Sequence, residues 1–346
     1  MPFYPLIRPL IHALDAEQAH RLTIGALAPL PPFGSPERDP LLEVTVAGLL
    51  FPNPIGLAAG FDKDAWVPAQ MLGFGFGFVE VGTLTPLPQA GHPKPRLFRL
   101  AEDRAVINRL GFNNGGQATA IARLRRLTRR AGPIGVNIGA NKDAADRIAD
   151  YAEGARACAE VSDYLTVNIS SPNTPGLRAL QSSEALAELL AGVLPCAKPV
   201  FLKVAPDLER NEVDAIARVA MDSGVSALII SNTTVSRPSL RSPYAGETGG
   251  LSGAPLAPLA LKRLRDFRAA TGGGLPLISA GGIADADEAY ARIRAGASLV
   301  QIYSALVYQG PGLARRIARG LAERLREDGY ASVADAVGVE SSDRSL

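Results

Sequence analysis

The chain has 346 residues, of which 47% are hydrophobic and 20% charged, with a formal net charge of +2. That composition excludes a disordered chain and supports a sizeable core, and the near-neutral balance gives no global basic field for nucleic acid. Cys158 and Cys196 cannot make a disulfide framework, they show no zinc-ligand spacing with His12, His20 and His92, and no apolar run reaches the roughly 18–20 residues of a membrane span.

Residues 1–31 read MPFYPLIRPLIHALDAEQAHRLTIGALAPLP, with apolar stretches broken by Arg8, His12, Asp15, Glu17, His20 and Arg21. A secretion signal needs an unbroken apolar stretch of about 7–15 residues. The pattern instead predicts two short amphipathic helices. Leu6, Leu10, Ala13 and Leu14 share one face of the first. Asp15 caps the second, with Gln18 three residues on as a variant capping box. Leu22, Ala26 and Leu27 form its stripe, and Pro29, Pro31 and Pro32 stop it. Residues 33–40 are a polar, Pro-rich linker, so 1–40 is an appendage and 41–340 the main domain. Residues 332–346 read as a polar tail that frays.

From about residue 53, short Val-, Ile- and Gly-rich segments alternate with helical periodicity. Strands are expected at 55–60, 77–83, 134–140, 164–170, 199–204, 227–232, 276–282 and 299–304, and helices at 116–131, 144–160, 183–194, 211–223, 256–271 and 285–295. Near-continuous apolar strands are buried on both faces, as in a parallel sheet under helices. Eight such units predict a (β/α)8 TIM barrel; six or seven would have favoured a doubly wound sheet. Almost every strand ends in small or polar residues, and in a barrel all those ends meet at one mouth.

Six features stand out along this domain. Gly73-Phe-Gly75-Phe-Gly77 precedes a strand, not a helix, so it reads as a helix end and strand entry rather than a dinucleotide loop. The connection 84–116 contains Asn108-Arg109-Leu110-Gly111-Phe112-Asn113-Asn114 and has the length of a functional lid. Thr166-Val-Asn168-Ile-Ser170-Ser171-Pro172-Asn173-Thr174 ends a strand in hydroxyls and amides; it is either a Ser-Pro turn or a reader of an amide-rich ring. A serine there needs a relay to act as a base. Lys203, and Lys63 at another strand end, are Schiff-base nucleophiles, fixed charges near an anion, or paired structural lysines. Gly281-Gly282 leads into Asp285 and Glu288, and strand eight ends at Tyr303-Ser304; this is a tight turn or, better, a phosphate site at a helix N-terminus. Arg123, Arg125, Arg126, Arg129 and Arg130 oppose Ile121, Leu124, Leu127 and Ala131, the pattern of a solvated helix face.

Taken together, ALDAEQAHRLT, NPIGLAAGFDKD, EVGTLTP, PRLFRL, AVINRLGFNN, NIGANKD, VNISSPNTPGLR, LKVAPD, SNTT, GGLSG, SAGGI and ASLVQIYSALVY resemble the quinone-dependent, membrane-associated class of the dihydroorotate dehydrogenase family over nearly the whole chain. The resemblance implies one FMN at the barrel mouth. It implies oxidation of dihydroorotate to orotate in pyrimidine biosynthesis, with electrons passing to a respiratory quinone (ubiquinone or menaquinone). The family's serine base falls on Ser171, which would remove the C5 proton while C6 gives hydride to flavin N5; Thr174 and Phe112 match its proton relay. Flavin contacts are implied for Ala59, Gly60, Phe61, Asp62, Lys63, Thr83, Asn137, Asn168, Lys203, Ser231, Gly253, Gly282, Tyr303 and Ser304. Substrate contacts are implied for Lys63, Asn108, Arg109, Leu110, Gly111, Phe112, Asn168, Asn173, Asn232 and Thr233. His20, Arg99 and Tyr303 match the quinone site, and the helix pair 1–40 the family's apolar membrane tunnel. The expected location is peripheral, on the cytoplasmic side of a bacterial inner membrane, with no nucleic-acid partner and no metal. The competing readings are a flavin barrel reducing its substrate with a nicotinamide cofactor, an aldolase using Lys203, and a membrane-docking scaffold without catalysis.

Overall fold

The computed structural model describes residues 4–127 and 130–342. Arg129 of the predicted arginine face and residues 343–346 of the predicted tail lie outside the described residues. Eight strands form a closed barrel in sequence order. They are β1 (Ile55–Leu57), β2 (Phe78–Leu84), β3 (Ile134–Ile138), β4 (Tyr164–Asn168), β5 (Val200–Val204), β6 (Ala227–Ile230), β7 (Leu277–Ala280) and β8 (Ala297–Ile302). All neighbours are parallel, and β8 closes on β1 with Val300 opposite Ile55 and Ile302 opposite Leu57. Each predicted strand is present, because apolar side chains on both faces find partners: the axis on one side, a helix layer on the other.

The six predicted helices run Gln117–Arg125, Arg147–Ala159, Ser183–Val193, Arg210–Ser223, Ala257–Thr271 and Ala286–Arg294. The structure adds Pro68–Gly73 after β1 and Leu313–Glu327 after β8. The latter buries Leu313, Ile317, Leu321 and Leu325, one stripe at helical spacing. Gly73-Phe-Gly75-Phe-Gly77 is the expected helix end and strand entry. The tail is a correction: Val333 and Ala336 are fully buried and Val333 N–H donates to Leu41 O at 2.7 Å, so 332–340 is packed rather than frayed.

Over the mouth lies a three-stranded antiparallel sheet of Leu97–Leu100, Ala105–Asn108 and Gly250–Gly253, with its own small core of Phe98, Leu100, Ala105, Ile107 and Leu251. It draws the connections after β2 and β6 into one roof. The N-terminal pair α1 (Tyr4–Ala13) and α2 (Ala16–Leu27) sits against this roof, with Asp15 capping α2 through Gln18 N–H at 2.9 Å.

The predicted apolar faces of that pair turn outward, apart from Leu27, which packs against the barrel core. Leu6, Leu10, Ala13, Leu14, Leu22 and Ala26 are exposed, whereas the buried side chains of α2 are Glu17 and Ala19. The reason is a buried ion pair. Arg96 grips Glu17 with two parallel bonds, Nε to Oε2 at 2.9 Å and Nη2 to Oε1 at 2.8 Å, and also donates to Ala90 O and His92 O. Bidentate, charge-assisted contacts of this kind fix orientation as well as distance. Arg96 holds the Glu17 carboxyl below its ordinary range, so the tie is complete above about pH 4.5 and is lost as pH falls through the lowered value.

Glu17→Ala leaves the buried guanidinium without its carboxylate and should cost about 3 kcal/mol. Urea unfolding and proteolysis at residues 28–40 read it out. A cost below about 0.5 kcal/mol, the range of surface pairs, would contradict the tie.

Candidate active site

The strand ends open into one cavity of about 990 Å³ that runs from the barrel mouth to the space between α1 and α2. Its inner wall is a chain of amides and hydroxyls. Asn137, from β3, donates Nδ2 to the buried Glu80 at 2.8 Å and accepts at Oδ1 from the Thr83 hydroxyl at 2.6 Å. Asn168, at the end of β4, donates to Thr83 Oγ1 at 3.0 Å and to Asn137 Oδ1 at 3.2 Å. Ser170 Oγ donates to Asn168 Oδ1 at 2.8 Å, and Asn232 Nδ2 to Ser170 Oγ at 2.9 Å. Lys203, from β5, lines the same cavity with its side chain almost fully buried. Burial lowers its pKa, and the negative charge of Glu80 acts in the opposite direction.

On the side of β7 and β8, Gly282, Tyr303 and Ser304 line the cavity, and their N–H groups have no protein partner among the described residues. Ser252 and Ser304 hydroxyls lie 2.7 Å apart beside them. The helix start that follows Gly282 offers no such donors. Asp285 caps Glu288 N–H at 2.9 Å and Glu288 takes Ala284 N–H at 2.5 Å, so that helix start is filled by its own carboxylates. The free donors are in the two turns.

Opposite stands the polar loop wall. Ser171 is 6% exposed, lines the cavity and accepts Asn173 N–H at 3.3 Å. Asn173 donates to Asn108 at 3.3 Å, so the loop after β4 meets the roof sheet. Asn108, Leu110, Gly111, Phe112, Asn173, Asn232 and Thr233 all reach the cavity. Lys63 does too, donating to Asn113 at 2.7 Å, and burial first, then the Arg96 charge, pulls it down to about 8. Ala59, Gly60, Phe61, Ser231 and Gly253 complete the lining.

Four predicted residues stand behind the wall. Arg109 turns away, 4.6 Å over the Phe98 ring and paired with Glu247 at 2.7 Å. Asp62 accepts Trp66 and Val67 N–H at 2.8 and 2.7 Å and holds the loop after β1, with burial raising it to about 6. Thr174 is buried beyond Ser171, and Asn137 acts through Thr83 and Asn168.

At the helix pair, His20 projects from α2 onto Phe61, ring centroids 5.3 Å apart, with Tyr303 at 6.5 Å. Arg99 donates to Ile11 O at 3.2 Å and to Leu14 O, so it both lines the opening and joins α1 to the roof. Burial, aided by the Lys63 charge, lowers His20 to about 4.

Sequence reasoning missed Glu80, Gln301, Glu17 and Arg96. For Glu80 and Gln301 a signal existed: each is a single strongly polar residue inside an apolar strand, GFVEVGT and LVQIYS. The predicted arginine face is partly structural, since Arg123 stacks 3.7 Å over Trp66 and donates to Asp64 O.

A closed parallel barrel with its polar residues gathered at the C-terminal mouth defines an enzyme of the (β/α)8 class. The family model described as Dihydroorotate dehydrogenase matches residues 41–325. Relatives named dihydroorotate dehydrogenase (quinone) include those of Sphingopyxis alaskensis, 64% identical over 97% of this chain and 96% of its own length, and Erythrobacter litoralis, 64% identical over 97% and 99%. Crystal structures of DHODH from Eimeria tenella align with a TM-score of 0.90: one in complex with ferulenol, 41% identical over 94% of this chain and 96% of that one, and one ligand-free, 42% identical over 94% and 99%. The chain belongs to the dihydroorotate dehydrogenase family and is an oxidoreductase.

The neutral state of His20 is directly measurable. An NMR titration of its ring protons should show a midpoint near 4; a midpoint near the ordinary value of about 6.5 would mean that the ring is solvated.

Proposed function

We propose that this chain oxidises dihydroorotate to orotate with FMN at the barrel mouth and a membrane quinone as final electron acceptor. The observation that carries this reading is the single cavity joining Ser171 and its asparagines to the opening between α1 and α2. Small-ligand pockets run to about 300–1,000 Å³, so a volume of about 990 Å³ has room for a flavin with a reactant on each side.

The residues fit FMN. The free N–H groups of Gly282, Tyr303 and Ser304, with the Ser252 and Ser304 hydroxyls, suit a phosphate. Lys203, Asn168, Thr83 and Ser231 offer charge, donors and acceptors to a flavin ring; Ala59, Gly60, Phe61 and Gly253 leave it space. When bound, FMN supplies the acceptor for the hydride leaving C6 of the substrate and hands the electrons on to the quinone. The Lys203 ammonium stabilises negative charge at the ring edge.

Asn108, Asn173, Asn232 and Asn168 present amide groups to the imide-like edge of dihydroorotate, and Lys63 its charge to the carboxylate. Ser171 Oγ takes the C5 proton as its own hydroxyl proton leaves along the route that Thr174 and Phe112 flank. Asn173 N–H, already bonded to that oxygen, stabilises the negative charge that builds on it while the hydroxyl proton departs. His20, Arg99 and Tyr303 form the quinone end. A neutral His20 keeps that passage apolar.

Residues 1–40 are the membrane-docking segment and 41–340 the catalytic barrel. No helix among the described residues is long and apolar enough to cross a membrane. Leu6 and Leu10 are 73% and 72% exposed beside the opening, and with only Arg8 and Arg21 as Lys or Arg side chains in residues 1–31, apolar insertion dominates over charge attraction. The protein is then peripheral, on the cytoplasmic face of the inner membrane.

Ser171→Ala should retain FMN but slow its bleaching by dihydroorotate about 10²–10⁴-fold in anaerobic stopped-flow; bleaching at the wild-type rate would remove Ser171 as the base. Replacing Leu6, Leu10 and Leu22 together by Gln should leave bleaching unchanged and weaken vesicle binding at least about tenfold. Unaltered vesicle binding would refute the docking face.

A further inference from the structure

The loop that carries Ser171 is poor in donors, since Pro172 and Pro175 have no N–H. Its surroundings hold it by its carbonyl oxygens. His92 Nε2 lies 2.7 Å from Asn173 O and, facing a carbonyl, is the donor. Arg147 Nη2 donates to Pro175 O at 2.8 Å, and Arg178 Nε to Ser170 O at 3.2 Å.

Of the three, Arg178 reaches furthest. It stands in the short 3-10 helix Leu177–Gln181, directly after the loop. Its Nη1 pairs with Asp207 Oδ2, in the connection after β5, at 3.0 Å. Its Nη2 donates to Thr233 O, in the connection after β6, at 3.3 Å. One planar guanidinium thus joins the connections that follow three successive strands, β4, β5 and β6. No other group among the described residues donates to Ser170 O or Thr233 O. Asp207 completes the junction by accepting the Thr234 hydroxyl, Val235 N–H at 3.1 Å and the Ser236 hydroxyl at 3.3 Å. Neither Arg178 nor Asp207 lines the cavity, whereas Ser171, Asn232 and Thr233 do.

We propose that Arg178, held by Asp207, is a positioning residue for proton abstraction. It ties the backbone of Ser170 to that of Thr233, and so sets the reach of Ser171 Oγ to C5 of a ring held by Asn232 and Thr233. The inference rests on the dihydroorotate reading above. It separates two tasks at the mouth: side chains on the cavity wall bind the substrate, and an ion pair behind the wall fixes where the base stands relative to it.

The test is anaerobic stopped-flow on the FMN-loaded protein. Bleaching by dihydroorotate gives a maximal rate and a substrate Kd, and reoxidation of dithionite-reduced protein by a short-chain quinone gives the other half-reaction. Arg178→Met keeps much of the apolar stem and removes all three bonds. Its maximal bleaching rate should fall at least about tenfold, since a misplacement of about 1 Å costs about 10²-fold, while substrate Kd and reoxidation stay within about threefold of wild type. Arg178→Lys keeps the charge beside Asp207, and with it the fold, but one ammonium does not reproduce the fork that spans three acceptors; it should show the same split and carries the test if Arg178→Met does not fold. Asp207→Asn should also slow bleaching, and the double variant with Arg178→Met no further than the slower single, because the two side chains act as one unit. Bleaching at the wild-type rate in the arginine variants would overturn the inference and leave the dihydroorotate reading standing. Equal slowing of both half-reactions, or a raised Kd at an unchanged maximal rate, would overturn it too, in favour of a general structural or a binding role. Additive effects in the double variant would remove Asp207 from it. A wild-type flavin that dihydroorotate does not bleach would instead overturn the dihydroorotate reading, and this inference with it.

Discussion

A closed barrel admits no solvent to its axis, so each polar group placed there has to find its partner inside. Glu80 is the strictest case. One buried carboxylate is met by two amides and two hydroxyls, with Lys203 as the nearby cation whose charge it favours. Because the carboxylate only accepts, the direction of the next bonds is decided: Asn137 presents its oxygen upward, Thr83 and Asn168 answer it, and Asn168 turns its own oxygen to Ser170. The site walls are thus oriented from below, before any ligand arrives. Preorganised dipoles of this kind need no rearrangement when charge develops on a reactant.

The second constraint acts from above. The roof sheet, the loop after β4 and the helix pair close over the mouth, and Arg96 is the knot that joins them. Its guanidinium bonds Glu17 of α2 and the backbone of the long connection after β2. This buried pair anchors α2 together with Ile24 and Leu27, which pack against the barrel core. Leu6, Leu10 and Leu22 are left facing outward, and the passage between the helices leads to His20, Phe61 and Tyr303. A polar chamber and an apolar entrance become two ends of one cavity.

The barrel was legible because its strands are apolar on both faces and its helices repeat at their own period; eight units implied closure. The mouth was legible because Asn108, Asn168, Ser171, Asn173 and Asn232 fall at strand ends or in the connections beyond them, where a buried structural role is hardest to meet. The same logic hid the supports. Glu80 and Gln301 sit in the middle of apolar strands, 221 positions apart, and nothing local says that they touch. Glu17 and Arg96 are 79 positions apart and looked like parts of a helix face and a loop. Amphipathic periodicity located α1 and α2 but not which side they bury. Asp285 was legible as an N-cap with Glu288 three residues on, and the two carboxylates do close that helix start. Arg109, at the centre of the lid sequence, belongs to the roof through Phe98 and Glu247.

The most direct measurement is the anaerobic visible spectrum of the purified protein, taken before and after addition of dihydroorotate. A bound flavin whose absorption bleaches on mixing is the predicted result, since cofactor, substrate and the first half of the reaction would then be observed together. A flavin that stays oxidised in the presence of dihydroorotate, in protein that binds FMN normally, would contradict it.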